Sequence, residues 1–323
     1  MLVLCLGVSH IHAADKLKVL VLHGQNNHSS FASTPVMKWI LESTGRFEVH
    51  ESITPPEGPK KPTLKKDAAP EEIVKHEARL AKYLEDKEEY AKNIARLWDE
   101  WRPSFKGIDA ILCNYNGERW PERVDRDFLD YMKNGGGLVV VHAADNSFGD
   151  WEEYNKMIAV GGWGGRTYKS GPMIRWREGK IWLDRESKVP GGGHGPAEPY
   201  MVNIINHGHP ITAGLPEAWL HSRDELYCNM RGPCENVTVL ANALSCKSKE
   251  LEPVLMVINY EKGRVFHTVL GHGVNDSMYG IGFQVTLARG TEWAATGNVT
   301  LPAPPQEDMS SVEVKLRQMH PKK

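Results

Sequence analysis

Short apolar runs that end abruptly in polar residues recur along this chain. The clearest run, GLVVV at Gly137–Val141, follows two glycines and leads directly into HAADN at His142–Asn146. An apolar run of that length is typical of a strand buried on both faces. Burying His and Asp side chains is costly, so their place at the carboxyl end of the strand indicates a cleft. In open α/β sheets, ligands bind at that edge.

Three other segments repeat this pattern of an apolar run followed by polar residues. They are Lys18–Leu22 before HGQNNH at His23–His28, Ala110–Cys113 before NYNGERW at Asn114–Trp120, and Arg264–Leu270 before GHGVN at Gly271–Asn275. Because the carboxyl ends of parallel strands meet at one edge, we expect the four polar ends to form a single pocket.

Strands and helices alternate along most of the sequence, which predicts an α/β fold with a mainly parallel sheet flanked by helices. Further strands are predicted at Phe47–Glu51, Ile108–Tyr115, Tyr200–Ile204, Val237–Ala241 and Pro253–Asn259. Helices are predicted from a Ser33 or Thr34 cap to Ser43 with Pro35 in the first turn, and at Pro121–Lys133, Trp151–Ile158 and Tyr279–Trp293. The glycine-rich stretch from Val160 to Pro199 is predicted to form loops, some of them close to a ligand.

A charged segment interrupts this alternation. Pro55–Lys66 is rich in proline and lysine and is interpreted as a linker, and Pro70–Trp101 has the pattern of one long helix with sparse apolar positions. We predict a helical insertion at about 56–101 that lies on the surface of a domain spanning 15–302, followed by a tail at 303–323. A coiled-coil partner helix is an alternative, but the apolar positions are too irregular for sustained heptads.

Charge and the two ends of the chain restrict the class of partner. A formal net charge of -2 gives no electrostatic footprint for nucleic acid, and no apolar stretch is long enough to span a membrane. Met1–Ala14 is similar to a signal peptide, which predicts a secreted or periplasmic protein; the alternative is a frayed N-terminus. In an oxidising compartment Cys228 and Cys234 could pair, and the absence of a CxxC unit disfavours structural zinc.

Three kinds of chemistry are compatible with the polar strand ends. A nucleophile elbow after Val141 is excluded because His142 is followed there by two alanines, which cannot attack a substrate. A second possibility is a divalent metal held by His23, His142, His267 or His272 with Asp145, because imidazole and carboxylate suit zinc, iron or manganese. No short ligand motif such as HExxH occurs, so no cofactor is firmly expected.

The third kind, general acid–base chemistry on a polyhydroxylated ligand, is the one we favour. His142 paired with Asp145, with His23 facing the pair, could carry protons near neutral pH. Amides match sugar hydroxyls, and aromatic faces beside them are typical of carbohydrate sites. The candidate substrate-binding residues are Gln25, Asn27, Asn114, Asn116, Glu118, Trp120, Trp163, His194, His267 and His272. The alternative for each histidine is a hydrogen-bonded residue under a loop, and for each tryptophan core packing.

Long ordered motifs in the chain resemble the ThuA-like (trehalose-utilisation) family of the class I glutamine amidotransferase-like superfamily. The matching segments include VLVLHGQNNH at Val19–His28, NYNGERWP at Asn114–Pro121, NGGGLVVVHAADNSFGDWEEYN at Asn134–Asn155, GGWGGR at Gly161–Arg166, GHGPAEPY at Gly193–Tyr200 and DELY at Asp224–Tyr227. The charged insertion is longer than is usual in the family. The catalytic cysteine of the superfamily is missing, as it is across ThuA-like proteins, so the resemblance does not imply glutaminase activity.

The resemblance implies a flavodoxin-like sheet flanked by helices and a role in sugar catabolism, with a 3-keto-glycoside as the substrate class. The favoured hypothesis is therefore an exported enzyme, a hydrolase or a lyase or isomerase, that acts on an oxidised sugar. A non-catalytic carbohydrate-binding protein with the same pocket is the alternative. An intracellular scaffold joined through the charged helix is a third possibility, although it leaves the polar strand ends without a role.

Overall fold

The computed structural model describes residues 15–274 and 276–319. Strands and helices alternate up to Ile158, as the sequence predicts, but seven strands then follow one another before the last two α-helices. The strands are β1 (Leu17–His23), β2 (Phe47–Ile53), β3 (Ala110–Asn114), β4 (Gly137–Val141), β5 (Met173–Arg177), β6 (Lys180–Asp184), β7 (Glu198–Ile204), β8 (Ala218–Asp224), β9 (Val237–Leu244), β10 (Leu251–Tyr260) and β11 (Gly263–Thr268). The α-helices are α1 (Ser30–Ser43), α2 (Pro70–Glu100), α3 (Glu122–Lys133), α4 (Glu152–Ile158), α5 (Asp276–Tyr279) and α6 (Ile281–Thr296).

One large sheet has the strand order β2-β1-β3-β4-β11-β10-β9-β7-β8. The strands from β2 to β11 in this order pair in parallel, and those from β11 to β8 pair antiparallel, so the sheet is mixed. Every residue of β3 and β4 is buried, as expected for central strands covered by helices on both faces. The predicted α/β fold with a large sheet flanked by helices is confirmed.

The strand order creates a switch point between β1 and β3. The chain leaves β1 toward β2 on one side and returns at β3 on the other, so the loops after β1 and β3 diverge from the same edge. Ligands bind at such a crevice in open α/β sheets because the diverging loops leave it uncovered. The loops that follow β4 and β11, the next two strands, open at the same edge.

The start of α1 differs from the prediction. The helix begins at Ser30, four residues earlier than a Ser33 cap and five residues earlier than a Thr34 cap would allow, and Pro35 lies inside it rather than in its first turn. The Ser33 and Thr34 hydroxyls instead accept hydrogen bonds of 2.9 and 3.0 Å from the Asn114 side-chain amide. These hydroxyls therefore tie the helix to β3 instead of capping it.

Two features of the second half were not predicted, the β5–β6 hairpin and the edge strand β8. In β8 the apolar pattern is hidden because His221, Ser222 and Asp224 are buried. Each of the three has a hydrogen-bond partner: Nε2 of His221 lies 2.9 Å from Oδ2 of Asp224, and the Ser222 hydroxyl donates to the Asp276 carbonyl. Buried polar residues that satisfy one another do not follow the alternation by which strands are predicted.

Two predictions about the ends and the cysteines have different outcomes. The signal peptide predicted at Met1–Ala14 lies outside the described residues. Cys228 and Cys234 are free thiols, so the pairing that an oxidising compartment would allow is not observed. Among the described helices, none has the length and apolar character needed to cross a membrane.

The predicted surface helix is observed as α2, and none of its 31 residues is buried. It is attached near its carboxyl end, where Arg123 donates hydrogen bonds to the carbonyls of Trp98, Asp99 and Trp101. Trp101 itself is buried and donates from Nε1 to the Ser52 hydroxyl at 3.1 Å. The amino-terminal part of α2 therefore projects from the domain, while Trp101 belongs to its core.

Removal of residues 61–88 should leave a folded domain. Gly58 lies against the Tyr90 ring, so a short Gly-Ser linker from Lys60 to Glu89 spans the gap without strain. Because no α2 residue is buried, the free energy of unfolding should change by less than about 1 kcal/mol. Denaturant unfolding followed by circular dichroism measures this. Trp101→Ala, which should lower the free energy of unfolding by about 3–5 kcal/mol, is the comparison. A deletion variant destabilised as much as Trp101→Ala would refute the peripheral role of α2.

Candidate functional site: a histidine-lined cavity

A cavity of about 300 Å³ lies at the carboxyl edge of the sheet. Loops after β1, β3, β4 and β8 and the glycine-rich segment contribute its walls, which are Asn27, His28, Asn116, Asn146, Trp163, Gly164, His194, Glu225 and Tyr227. Two further histidines, His142 after β4 and His272 after β11, contact His28 beside the cavity. The sheet edge predicted to hold a polar pocket thus holds one.

His142 occupies the tight turn after β4 with a positive φ of 47°. Its Nδ1 lies 2.7 Å from the Val269 carbonyl oxygen, which can only accept, so Nδ1 carries the proton and Nε2 has a free lone pair. The ring packs on Tyr227 with centroids 4.1 Å apart. Burial lowers the pKa of His142 to about 3, so the imidazole is neutral at physiological pH.

His28 and His272 complete a group of three imidazoles. The centroid of the His28 ring lies 5.1 Å from that of His142 and 4.5 Å from that of His272. Burial, with a smaller contribution from His272, lowers the pKa of His28 to about 4. Nε2 of His28 lies 3.0 Å from the amide nitrogen of Asn27, which donates, so the Nε2 lone pair accepts this hydrogen bond. The Asn27 amide is oriented by Asn116, which donates to Asn27 Oδ1 at 2.6 Å.

Asp224 fixes the two segments that bring Glu225 and His272 to the site. Its carboxylate accepts hydrogen bonds from the backbone amides of Gly271, His272 and Glu225 at 2.8, 3.1 and 2.8 Å. Burial alone would raise the pKa of Asp224, but the hydrogen bond and charge of His221 keep it below the usual value. Glu225, placed in this way, has its Oε2 3.6 Å from His272 Nε2 and its Oε1 3.7 Å from His194 Nδ1.

The outer wall of the cavity is aromatic. Trp163 adopts a φ of 42°, and its ring centroid lies 4.9 Å from that of Tyr227 and 6.0 Å from that of His194. A Cβ atom at Gly192 would lie 2.6 Å from the Trp163 backbone nitrogen, so a glycine is required for this close approach. Arg166 holds the loop in place by donating to the carbonyls of Asn146, Gly162 and Ser147.

Of the residues proposed from the sequence, the structure brings six to this site. His142 and His272 belong to the histidine group, Asn27, Asn116, Trp163 and His194 line the cavity, and the others lie elsewhere.

His23 faces away from this group. Its Nε2 lies 3.3 Å from Glu51 Oε2 and its ring packs on Phe31, so His23 does not face His142. The predicted pairing of His142 with Asp145 is also not observed, because Asp145 Oδ2 lies 3.1 Å from His267 Nε2. Nδ1 of His267 donates to the Ile158 carbonyl, so a proton must lie between His267 and Asp145.

Four other proposed residues are engaged by neighbouring side chains away from the cavity, and of these Gln25, Asn114 and Trp120 are buried whereas Glu118 is exposed. Gln25 and Glu118 bind each other, with Gln25 Oε1 accepting from the Glu118 backbone amide at 2.8 Å. Asn114 is buried against α1. Trp120 is buried among Trp101, Phe148 and Trp151. Their side chains form hydrogen bonds to loops or pack in the core. The position of a polar residue at a strand end does not show whether its side chain faces the cavity or the interior.

Sequence reasoning missed four residues of the site, which are His28, Asn146, Glu225 and Tyr227. His28 is the last residue of the HGQNNH run, five residues beyond the favoured His23. Glu225 and Tyr227 belong to the DELY segment, which follows the strand that was not predicted. For Glu225 and Tyr227, the signal available in the sequence was this segment, which combines two acidic residues and a tyrosine in a stretch to which no strand or helix was assigned.

The fold and the cavity define an α/β protein of flavodoxin-like architecture with a histidine–carboxylate site at its switch point. A family model described as ThuA, trehalose utilisation, matches residues 74–294. The crystal structure of a ThuA-like protein from Parabacteroides merdae is 37% identical, with a TM-score of 0.79 and coverage of 94% of this chain and 98% of that one. The chain belongs to the ThuA-like family, as its motifs predict.

A second ThuA-like structure, from Bacteroides uniformis, is 16% identical with a TM-score of 0.51, covering 91% of this chain and 97% of that one. At this identity the likeness shows the fold alone. No functionally curated protein matches the sequence.

Proposed function

We propose that this protein is an enzyme of carbohydrate catabolism that transfers protons to or from an oxidised sugar or its glycoside. Family membership supports a carbohydrate-related role. The observation that carries the proposal is the composition of the cavity, which combines three side-chain amides, an aromatic wall and an accessible histidine beside a carboxylate. This combination suits a ligand with many hydroxyl groups and one reactive carbon.

The amides and the tryptophan are assigned to binding. Asn27, Asn116 and Asn146 each offer both a donor and an acceptor, the pair of functions that a sugar hydroxyl matches. Trp163 is 38% exposed at the cavity wall, so one face of its ring is available to the apolar face of a sugar. In this assignment these four residues orient the ligand with its reactive carbon toward His194.

His194 is assigned as the proton carrier. Its Nδ1 donates to the Gly195 carbonyl at 2.7 Å, which leaves Nε2 as a free base. The Glu225 carboxylate, 3.7 Å from Nδ1, stabilises the imidazolium that forms when Nε2 takes a proton. A ketone acidifies the C–H bonds on its neighbouring carbons, so a keto sugar offers a proton that such a base can remove. His142 is less suited to this role because its pKa of about 3 makes it a weak base.

His194→Gln should lower the turnover of a 3-keto-glucoside about 100- to 10,000-fold, the usual contribution of a general base. We would incubate the protein with 3-keto-trehalose and 3-keto-glucosides, measure released sugar, and follow exchange of the proton next to the carbonyl in D₂O by NMR. His207→Ala, an exposed histidine paired with Glu217, is the matched control and should retain full turnover.

The exchange measurement separates this proposal from its alternative. Saturable binding of keto sugars with neither sugar release nor proton exchange would favour the non-catalytic carbohydrate-binding protein. Full turnover by His194→Gln would remove His194 from the role of proton carrier.

A further inference from the structure

We propose that His28, His142, His272 and Glu225 form a binding site for one divalent transition-metal ion, with Zn²⁺ as the ion that these ligands favour. One donor atom from each of the four side chains lies within 4.8 Å of the other three. The site adjoins the cavity through His28 and Glu225, which line it. This inference goes beyond the proposed sugar chemistry and does not depend on it.

The first argument is that unpaired lone pairs converge at the site. Among the described residues, neither Nε2 of His142 nor Nδ1 of His272 has a hydrogen-bond partner, although both atoms are buried. His142 is 2% exposed, so its Nε2 cannot be satisfied by bulk water. A buried acceptor without a partner is costly, and a cation shared by these nitrogens removes that cost.

The second argument is electrostatic. Glu225 contributes a carboxylate directly. The carboxylate of Asp224, which accepts a hydrogen bond from the Glu225 backbone amide, adds a second negative charge behind it. No Lys or Arg is present among the described residues that line the cavity.

The third argument is that outer partners hold the ligands in place. His142 is oriented by the Val269 carbonyl, which accepts from the ring nitrogen that points away from the site. Asp224 fixes the backbone of both Glu225 and His272. Metal-binding histidines usually donate their second ring N–H to a carbonyl or carboxylate in this way, because the contact sets the tautomer and the ring orientation.

The ligand set also identifies the class of ion. Three imidazoles and one carboxylate suit Zn²⁺ and its first-row neighbours, whereas Mg²⁺ and Ca²⁺ prefer oxygen ligands. Donor atoms about 2.0–2.2 Å from a tetrahedral zinc ion lie about 3.3–3.6 Å apart. The observed donor atoms, which lie within 4.8 Å of one another, would therefore move closer by up to about 1.5 Å when the ion binds. An ion here would face the cavity, where it could bind and polarise a carbonyl or hydroxyl oxygen of a ligand.

Isothermal titration of the EDTA-treated protein with Zn²⁺, with Mg²⁺ as the comparison ion, tests the site. We expect one tightly bound Zn²⁺ per chain and no comparable binding of Mg²⁺. His142→Asn keeps a donor for the Val269 carbonyl and tolerates the positive φ but lacks Nε2, so its Zn²⁺ affinity should fall at least about 100-fold. His272→Ala, at a half-buried position, should show the same loss, and His207→Ala should bind as the unmodified protein does.

Co²⁺ substitution distinguishes this site from the free thiols. The expected spectrum has d–d bands without thiolate-to-metal charge transfer. The proposal is overturned if the EDTA-treated protein binds no Zn²⁺ saturably, if His142→Asn and His272→Ala bind it unchanged, or if the Co²⁺ spectrum shows thiolate ligation. His194→Gln should retain the metal while losing turnover, so a failure of the sugar chemistry and a failure of the metal site give different results.

Discussion

Replacing His142 by asparagine should lower keto-sugar turnover by more than about 100-fold and leave stability nearly unchanged. The Nε2 lone pair of His142 points to the histidine group beside the cavity, while Nδ1 serves the structure by donating to the Val269 carbonyl. Asparagine keeps a donor in the position of Nδ1 and removes Nε2. Loss of an outer partner of a metal site costs about 10- to 100-fold, and loss of a ligand should cost more.

His142→Ala separates the two roles of this side chain. It should lose the same turnover and in addition about 1–3 kcal/mol of the free energy of unfolding, because the buried Val269 carbonyl loses its donor. Steady-state kinetics and urea unfolding of both variants, with His207→Ala as the control, provide the comparison. Equal stability of the alanine and asparagine variants would show that the Val269 contact contributes little, and full turnover in either variant would remove His142 from the mechanism.

Asp224→Ala should be the most destabilising of these substitutions, at about 3–5 kcal/mol. The carboxylate is fully buried and accepts hydrogen bonds from three backbone amides and from His221, all of which would lose their acceptor. Removing one partner of a buried charged network is costly because the remaining groups stay desolvated and unpaired. The segments that carry Glu225 and His272 would then be free to move apart.

The measurement is denaturant unfolding combined with Zn²⁺ titration of the variant that remains folded. Asp86→Ala is the matched control, because Asp86 is an exposed residue of α2 whose ion pair with Lys82 should contribute less than about 0.5 kcal/mol. We expect Asp224→Ala to lose both stability and Zn²⁺ affinity. A variant as stable as Asp86→Ala would contradict the role of Asp224 as the anchor of these segments.

The apolar runs of the sequence were sufficient to predict the fold and the edge of the sheet at which the site lies. Runs such as Gly137–Val141 have no polar face, so they can be stable only as central strands covered on both sides, and their polar ends must then meet at one edge. The long helix α2 was equally predictable, because its charged pattern leaves no face that could be buried. Periodicity determines these features locally, before any long-range contact forms.

The choice among the polar residues of that edge depended on the tertiary structure. His23 ends β1 and His28 lies five residues further on, yet His23 turns toward Glu51 and His28 toward His142. Asp145 follows His142 closely in sequence, but its partner is His267, which lies 122 residues away. Side chains at strand ends point in different directions, and only the packing of the neighbouring elements decides which of them meet.

Glu225 shows why the rest of the site could not be predicted. Glu225 follows β8, an edge strand whose buried polar residues obscure the alternation of apolar and polar positions. Asp224, the last residue of β8, is held by the hydrogen bond that its carboxylate accepts from the Gly271 backbone amide, and this contact positions Glu225. The sequence by itself determined the sheet, the surface helix and the functional edge, because these follow from hydrophobic periodicity. The tertiary structure decided which histidines and which carboxylate converge, because hydrogen bonds between segments more than 40 residues apart hold them there.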